Sequence, residues 1–213
     1  LIPENSGTAD RPIRFLRRGR DKVVLDGGGK RGVGMDLSGR SHILVRGIIV
    51  RDFAGDGVRA QDGEGVRIEQ AIVTTCGGVG VTASAVKDFA LSRSLLRDNK
   101  AGGLLLERSP GAAVAGNIFD RNGGPGIRCE EASLAELYSD ANAFPPSARP
   151  SALLAGKELP TLAAWQEATG LDRDSVAAEP GYRDAEGGDF SLRADSPLIG
   201  RGPLARPIGP YLR

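Results

Sequence analysis

Chemistry in this chain has to come from charged residues, because the other usual sources are missing. One histidine, His42, occurs in 213 residues, which removes every mechanism needing two and leaves a serine–histidine triad only a residue in the turn before a strand. No histidine and cysteine cluster has metal-ligand spacing. The run Asp26-Gly27-Gly28-Gly29-Lys30 reads as a turn, not as a phosphate-cradling loop. What remains is carboxylate acid–base work, with arginine or lysine to hold anionic groups. Two sets are grouped by position: Arg51, Asp52 and Asp56, then Arg97, Asp98 and Lys100 further along. A third set, Asp36, Arg59 and Arg128, falls at matching places with Thr82 and Leu105 between them.

Those matching places belong to a repeat. Residues 31–145 are one 23-residue unit written five times without a gap. Its fourth position is always glycine: Gly34, Gly57, Gly80, Gly103 and Gly126. Beside it runs an apolar column, Met35, Val58, Val81, Leu104 and Ile127, and two residues on lies a small or apolar one, as expected of a short strand with one buried face. A second alternating pair recurs from Ile43/Val45 to Ala135/Leu137, and a third apolar column runs Ile49, Ile72, Leu95, Ile118 and Ala141. Three short strands per unit is too little chain for a helical repeat. The unit is one coil of a solenoid, and stacking coils about 4.8 Å apart puts each residue under its column-mate in parallel sheets. The glycine column is expected where every coil turns at positive φ. Asn99 and Asn122 predict an asparagine ladder along the stack.

Register then predicts geometry for the charges. Asp52, Asp56, Arg59, Asp98 and Lys100 should line one solvent-facing edge, and Asp36, Arg59 and Arg128 one outward column. Together they would form a charged groove about 10 to 20 Å long. Charged turn residues that only keep the corners soluble are the plainer alternative.

The rows resemble the right-handed parallel β-helix family of pectate lyases and polygalacturonases, matching a loose G-x-G-[IV]…[IV]-x-[IV]…N-x-[IV] pattern over residues 31–145. The stretch TLAAWQEATGLDRDSVAAEPGYRDAEGGDFSLRADSPLIGRG resembles the C-terminal cap of many bacterial secreted β-helix proteins. The resemblance implies an all-β right-handed parallel β-helix with a cap, from a secreted or cell-envelope protein that handles polysaccharide. Polygalacturonases place acids before the glycine and again one coil later. Asp56 matches the first, but Val79, Gly102 and Pro125 follow in its column, so that hydrolysis lacks half its mechanism. Lyases of this fold use clustered acids to hold calcium and an arginine or lysine as base toward a uronic acid. On that resemblance Asp52, Asp56 and Asp98 would be the calcium ligands. Arg59 would pair with a substrate carboxylate, and Lys100 would be the base, with nearby cations such as Arg97 favouring its neutral form. Asp36, Arg97 and Arg128 would line the substrate groove. Neither set reproduces a complete lyase signature, so the alternative is a non-catalytic glycan-binding, spacer or adhesin module. A groove without aromatics favours an acidic polysaccharide as partner.

Composition sets the remaining bounds. With 28 basic and 27 acidic residues the chain lacks the basic excess of a nucleic-acid binder, and no apolar run is long enough to span a membrane. Cys76 and Cys129 fall in different columns two coils apart, about 10 Å along the axis, beyond disulfide reach. The domain division expected is a β-helix over 1–145, irregular to residue 30, with a capping segment over 146–213. Within the cap, 160–170 reads as a short helix with Thr161 as N-cap, Gly170 as stop and Trp165 as docking anchor. Tyr182, Phe190, Leu192 and Ile199 should run back along the solenoid. A linker is expected over Pro145–Pro150. At the other end, Arg11, Arg14, Arg17, Arg18, Arg20 and Lys22 make the densest basic patch, a solvated loop or an anion-binding rim. An open N-terminal edge there would favour self-association.

Overall fold

A computed structural model describes residues 1–19, 21–146 and 151–210. Arg20 of the basic patch and Ser147–Pro150 of the expected linker lie outside the described residues. Each coil contributes one strand to each of three parallel sheets. The first sheet runs from Ile13–Leu16 through Ile43–Arg46, Arg67–Glu69, Ala90–Ser92 and Ala113–Ala115 to Tyr138–Asp140. Strands Val23–Asp26, Ile48–Arg51, Ile72–Thr74, Leu95–Arg97 and Ile118–Asp120 form the second. The third runs from Met35–Asp36 through Val58–Glu64, Val79–Lys87 and Gly102–Glu107 to Ile127–Cys129, then takes Ala152–Leu154 in parallel and Lys157–Leu159 in antiparallel.

The first apolar column stacks as its spacing requires: Met35 pairs with Val58, Val58 with Val81, Val81 with Leu104 and Leu104 with Ile127, all at most 1% exposed. The glycine column beside it has a different cause from the one expected. None of its five members has positive φ. A Cβ on Gly57 would meet Val73 Cγ1 at 2.2 Å, and one on Gly34 would meet the Gly57 carbonyl at 2.5 Å. Glycine is required there by close stacking, not by backbone handedness. The left-handed corners are elsewhere and mostly carry side chains, as in the column Asp52, Thr75, Asp98 and Arg121 with φ of 56°, 56°, 54° and 50°.

Two more columns depart from the reading of the sequence. In the fifth coil a 3-10 turn, Glu131–Leu134, lengthens the step, so Val114 pairs with Ser139 and Ile118 with Ala143. Ala135 and Ala141 therefore do not continue the columns in which 23-residue spacing put them. The column Ile49, Ile72, Leu95 and Ile118 also faces outward; the core on that sheet is Val50, Val73, Leu96 and Phe119, with Phe144 stacked on Phe119 at 5.2 Å. The C-terminal tail packs over this column through Tyr182, Phe190, Leu192, Leu198 and Ile208, leaving Ile49 half-buried beside a cavity of about 690 Å³ that Ile49, Ile72, Phe190 and Leu192 help to line. Ile199, expected among these contacts, is 45% exposed.

Buried amides bind the coils together. Asn99 Nδ2 donates to Asn122 Oδ1 at 3.1 Å, and each side-chain oxygen accepts a backbone N–H from the coil before, Cys76 and Asn99 respectively. A second ladder at the opposite corner, Ser94, Asn117 and Asn142, ends on the cap, where Asp172 accepts from Asn142 Nδ2, Ser139 Oγ, Ser175 Oγ and Trp165 Nε1. The cap helix is Leu162–Thr169, with Thr161 Oγ1 accepting from the Ala164 N–H and Gly170 closing it at φ 71°. Trp165 is fully buried at the end of the core.

Candidate functional site

The alternation of the third sheet turns one column outward: Asp36, Arg59, Thr82, Leu105 and Arg128 pair in sequence across five strands. This is the column that the spacing predicted. Within it Asp56, from the turn before Val58, reaches back onto the sheet. Its Oδ2 accepts from Arg59 Nε at 3.1 Å, Arg59 Nη2 at 3.0 Å and Thr82 Oγ1 at 3.2 Å, and its Oδ1 accepts the Val79 N–H at 3.0 Å. Four donors leave this carboxylate little capacity for an ion, and its side chain is 14% exposed. Asp36 is likewise occupied by the Ser38 N–H and hydroxyl. Arg128 stands exposed at the far end of the column.

The corner column holds the other expected ligands. Asp52 lies 3.7 Å from Arg51, which itself pairs with Asp26 at 2.8 Å. Two coils on, Asp98 sits between Arg97 at 2.8 Å and Arg121 at 3.2 Å. Asp52, Asp56 and Asp98 are thus held by separate partners, and no three acid, histidine or cysteine groups among the described residues gather as a metal site. The donor set does not fit calcium. Arg97 is also misplaced for a groove: it is 7% exposed, pairs with buried Asp120 and lies 5.4 Å from the Tyr182 ring and 5.7 Å from the Phe190 ring. The tail covers it, so it neither lines a substrate groove nor crowds Lys100. Lys100, at the start of the fourth coil, is exposed and has no carboxylate within 4 Å among the described residues.

A sequence model of the family described as right handed beta helix region matches residues 31–142. The chain belongs to that family. The β-helix also superposes on two solved lyases. The pectate lyase Pel9A gives a TM-score of 0.62 at 13% identity, covering 73% of this chain and 40% of that one. The alginate lyase from Paenibacillus sp. str. FPU-7 gives 0.57 at 16% identity, covering 71% and 59% respectively. The chain therefore spans roughly half the length of these structures, and at such identities the likeness is one of fold. No curated protein sequence matches the β-helix significantly.

Neither cysteine is placed to act as a nucleophile. Both cysteines are buried and free, and burial pushes the Cys129 thiol up to about 12, away from the reactive thiolate. Sequence reasoning missed Asp120, although it lies 23 residues after Arg97 and repeat spacing alone would have paired them, and it read Tyr182 as an apolar tail contact only. Tyr182 donates to Asp120 Oδ2 at 3.2 Å from outside the repeat, where no periodicity points to it. Burial pushes the Asp120 carboxyl up and the Tyr182 hydroxyl well up, as desolvation outweighs the pairing with Arg97. This cluster joins tail to solenoid and is closed to substrate. The open face presents Arg59 and Arg128 in one column, with Thr82 and Leu105 between them.

Proposed function

We propose that this β-helix binds an acidic polysaccharide lying along the solenoid axis on the outward face of the third sheet. The observation that carries the reading is that Arg59 and Arg128 share one outward column while the acids beside them are satisfied internally. Three rungs separate them, about 14 Å, a span of a few sugar units. Asp56 fixes the Nε and Nη2 side of Arg59, which orients the guanidinium and leaves Nη1 for a ligand carboxylate. The two lyases of like fold are named for pectate and alginate, both acidic glycans, and this supports the class of partner. Such a partner suits a secreted or cell-envelope location. Elimination through bound calcium is not part of the proposal, because Asp52, Asp56 and Asp98 do not form one ligand set. A lyase would instead have to use exposed Lys100 as its base, a second reading that the unpaired state of that side chain favours.

Calorimetry with polygalacturonate and alginate, each with calcium or a chelator, tests both readings while absorbance is followed for unsaturated uronates. Binding that is insensitive to chelation, weakened about tenfold by Arg128→Ala and silent in absorbance, is the expected result. Absorbance that grows with time and is abolished by Lys100→Ala would replace binding with lyase activity, and no binding to either polymer would remove the reading.

A further inference from the structure

The N-terminal basic patch is only partly a solvated loop. Arg14 and Arg67 stand on the outward face of the first sheet in one column, paired in register through Leu44. They line a cleft of about 510 Å³ between that face and the segment carrying Ala9 and Pro12. The other charges in the cleft, Asp88 apart, stand in close pairs. Arg46 pairs with Glu69 at 2.8 Å, Arg93 approaches the same carboxylate at 3.6 Å, and His42 Nε2 lies 3.1 Å from Glu64 Oε1. Arg14 and Arg67 have no carboxylate within 4 Å among the described residues and are exposed. Two rungs put them about 10 Å apart, with half-buried Leu44 midway.

We infer that this cleft is a second glycan site, selective for a chain that carries a carboxylate on every second sugar. The two guanidiniums grip carboxylates two sugars apart, and the apolar face of the intervening neutral sugar rests on Leu44. A carboxylate in the middle position would lose water over Leu44 without gaining a partner, and Asp88 along the cleft, which has no cation within 4 Å among the described residues, would repel it. A fully charged polyuronate is therefore disfavoured here. The site lies on a different sheet from the Arg59–Arg128 face and does not depend on that reading.

The test compares hyaluronan oligosaccharides, with one carboxylate per disaccharide, against polygalacturonate oligosaccharides of equal length, by calorimetry on Arg14→Ala/Arg67→Ala and Arg128→Ala variants. The alternating chain should bind, lose at least about tenfold in affinity in the Arg14→Ala/Arg67→Ala variant and be unaffected by Arg128→Ala. Leu44→Asp, which puts a like charge under the middle sugar, should also weaken it, with the unfolding midpoint confirming an intact fold. Equal or tighter binding of polygalacturonate to this cleft, or hyaluronan binding that survives loss of both arginines, overturns the inference. Loss of polygalacturonate binding in Arg128→Ala alone bears only on the third-sheet face.

Discussion

The outward faces of the second and third sheets have the same repeat, the same strand spacing and opposite fates. On the third sheet the outward column is Asp36, Arg59, Thr82, Leu105 and Arg128, with Arg128 exposed, Asp36, Arg59 and Leu105 half-buried, and Thr82 buried. On the second it is Ile49, Ile72, Leu95 and Ile118, and the tail covers it, leaving Leu95 fully buried. The second sheet is thus apolar on both sides, as a sheet covered on both faces must be. Of these two faces the third sheet's polar column is the one open to a ligand along its length, whereas the apolar column of the second serves mainly to dock the tail.

Substitutions on the two sides of the second sheet probe this contrast most strongly. Phe119→Ala opens the inner stack against Phe144 and should cost about 3 to 5 kcal/mol, and Leu95→Ala, although outward, about 2 to 5 kcal/mol, both read from denaturant midpoints. A cost for Leu95→Ala below about 0.5 kcal/mol, the scale of exposed positions, would mean that the tail does not seal that face. Next in size is Gly80→Ala, whose Cβ would meet Asn99 Nδ2 at 2.7 Å and the Gly103 carbonyl at 2.9 Å; overpacking there should cost about 1 to 3 kcal/mol. Asp120 provides a pH test of the tail contact. Burial raises its carboxyl above the ordinary 3.8 of the unfolded chain, so its contribution to stability is present at lower pH and is lost as pH rises through the raised value. Asp120→Asn should therefore gain stability relative to the parent as pH rises through that window. A difference that does not vary with pH would mean that the carboxyl titrates alike in the folded and unfolded chain, and one that moves the opposite way would mean that Arg97 holds it ionised. The smallest effect belongs to the open face: Arg128→Ala should leave stability within about 0.5 kcal/mol while lowering glycan affinity.

Periodicity carried most of the fold, because stacked coils convert sequence spacing directly into neighbours. It exposed the Met35 column, the Asn99 ladder and the cap helix around Trp165. It did not tell inside from outside on the second sheet, since alternation fails where both faces are apolar. Nor could fixed spacing follow the fifth coil, where Glu131–Leu134 adds two residues and shifts Ala143 under Ile118. The glycine column was visible in sequence but not its reason, which is the crowding by Val73 and neighbouring carbonyls. For the candidate site, the Asp36, Arg59 and Arg128 column was legible for the same reason as the core. The partners of Asp56, Asp98 and Arg97 were not, because repeat spacing places backbones and does not choose which way a long side chain turns.

The tail has a further consequence for how the molecule comes apart. A solenoid held only by contacts between adjacent coils behaves as a chain of nearest neighbours, and its ends can fray one coil at a time. Here the apolar cluster under the tail takes residues from Ile49 through Ile72 and Leu95 to Ile118 and Ala143, so one segment touches successive coils at once. Arg97, held between Asp120 of the next coil and the rings of Tyr182 and Phe190, fastens it near the middle. The strap links coils that do not otherwise meet, and the last coil cannot peel away without lifting it from the others. The stack should therefore lose its structure in one cooperative step.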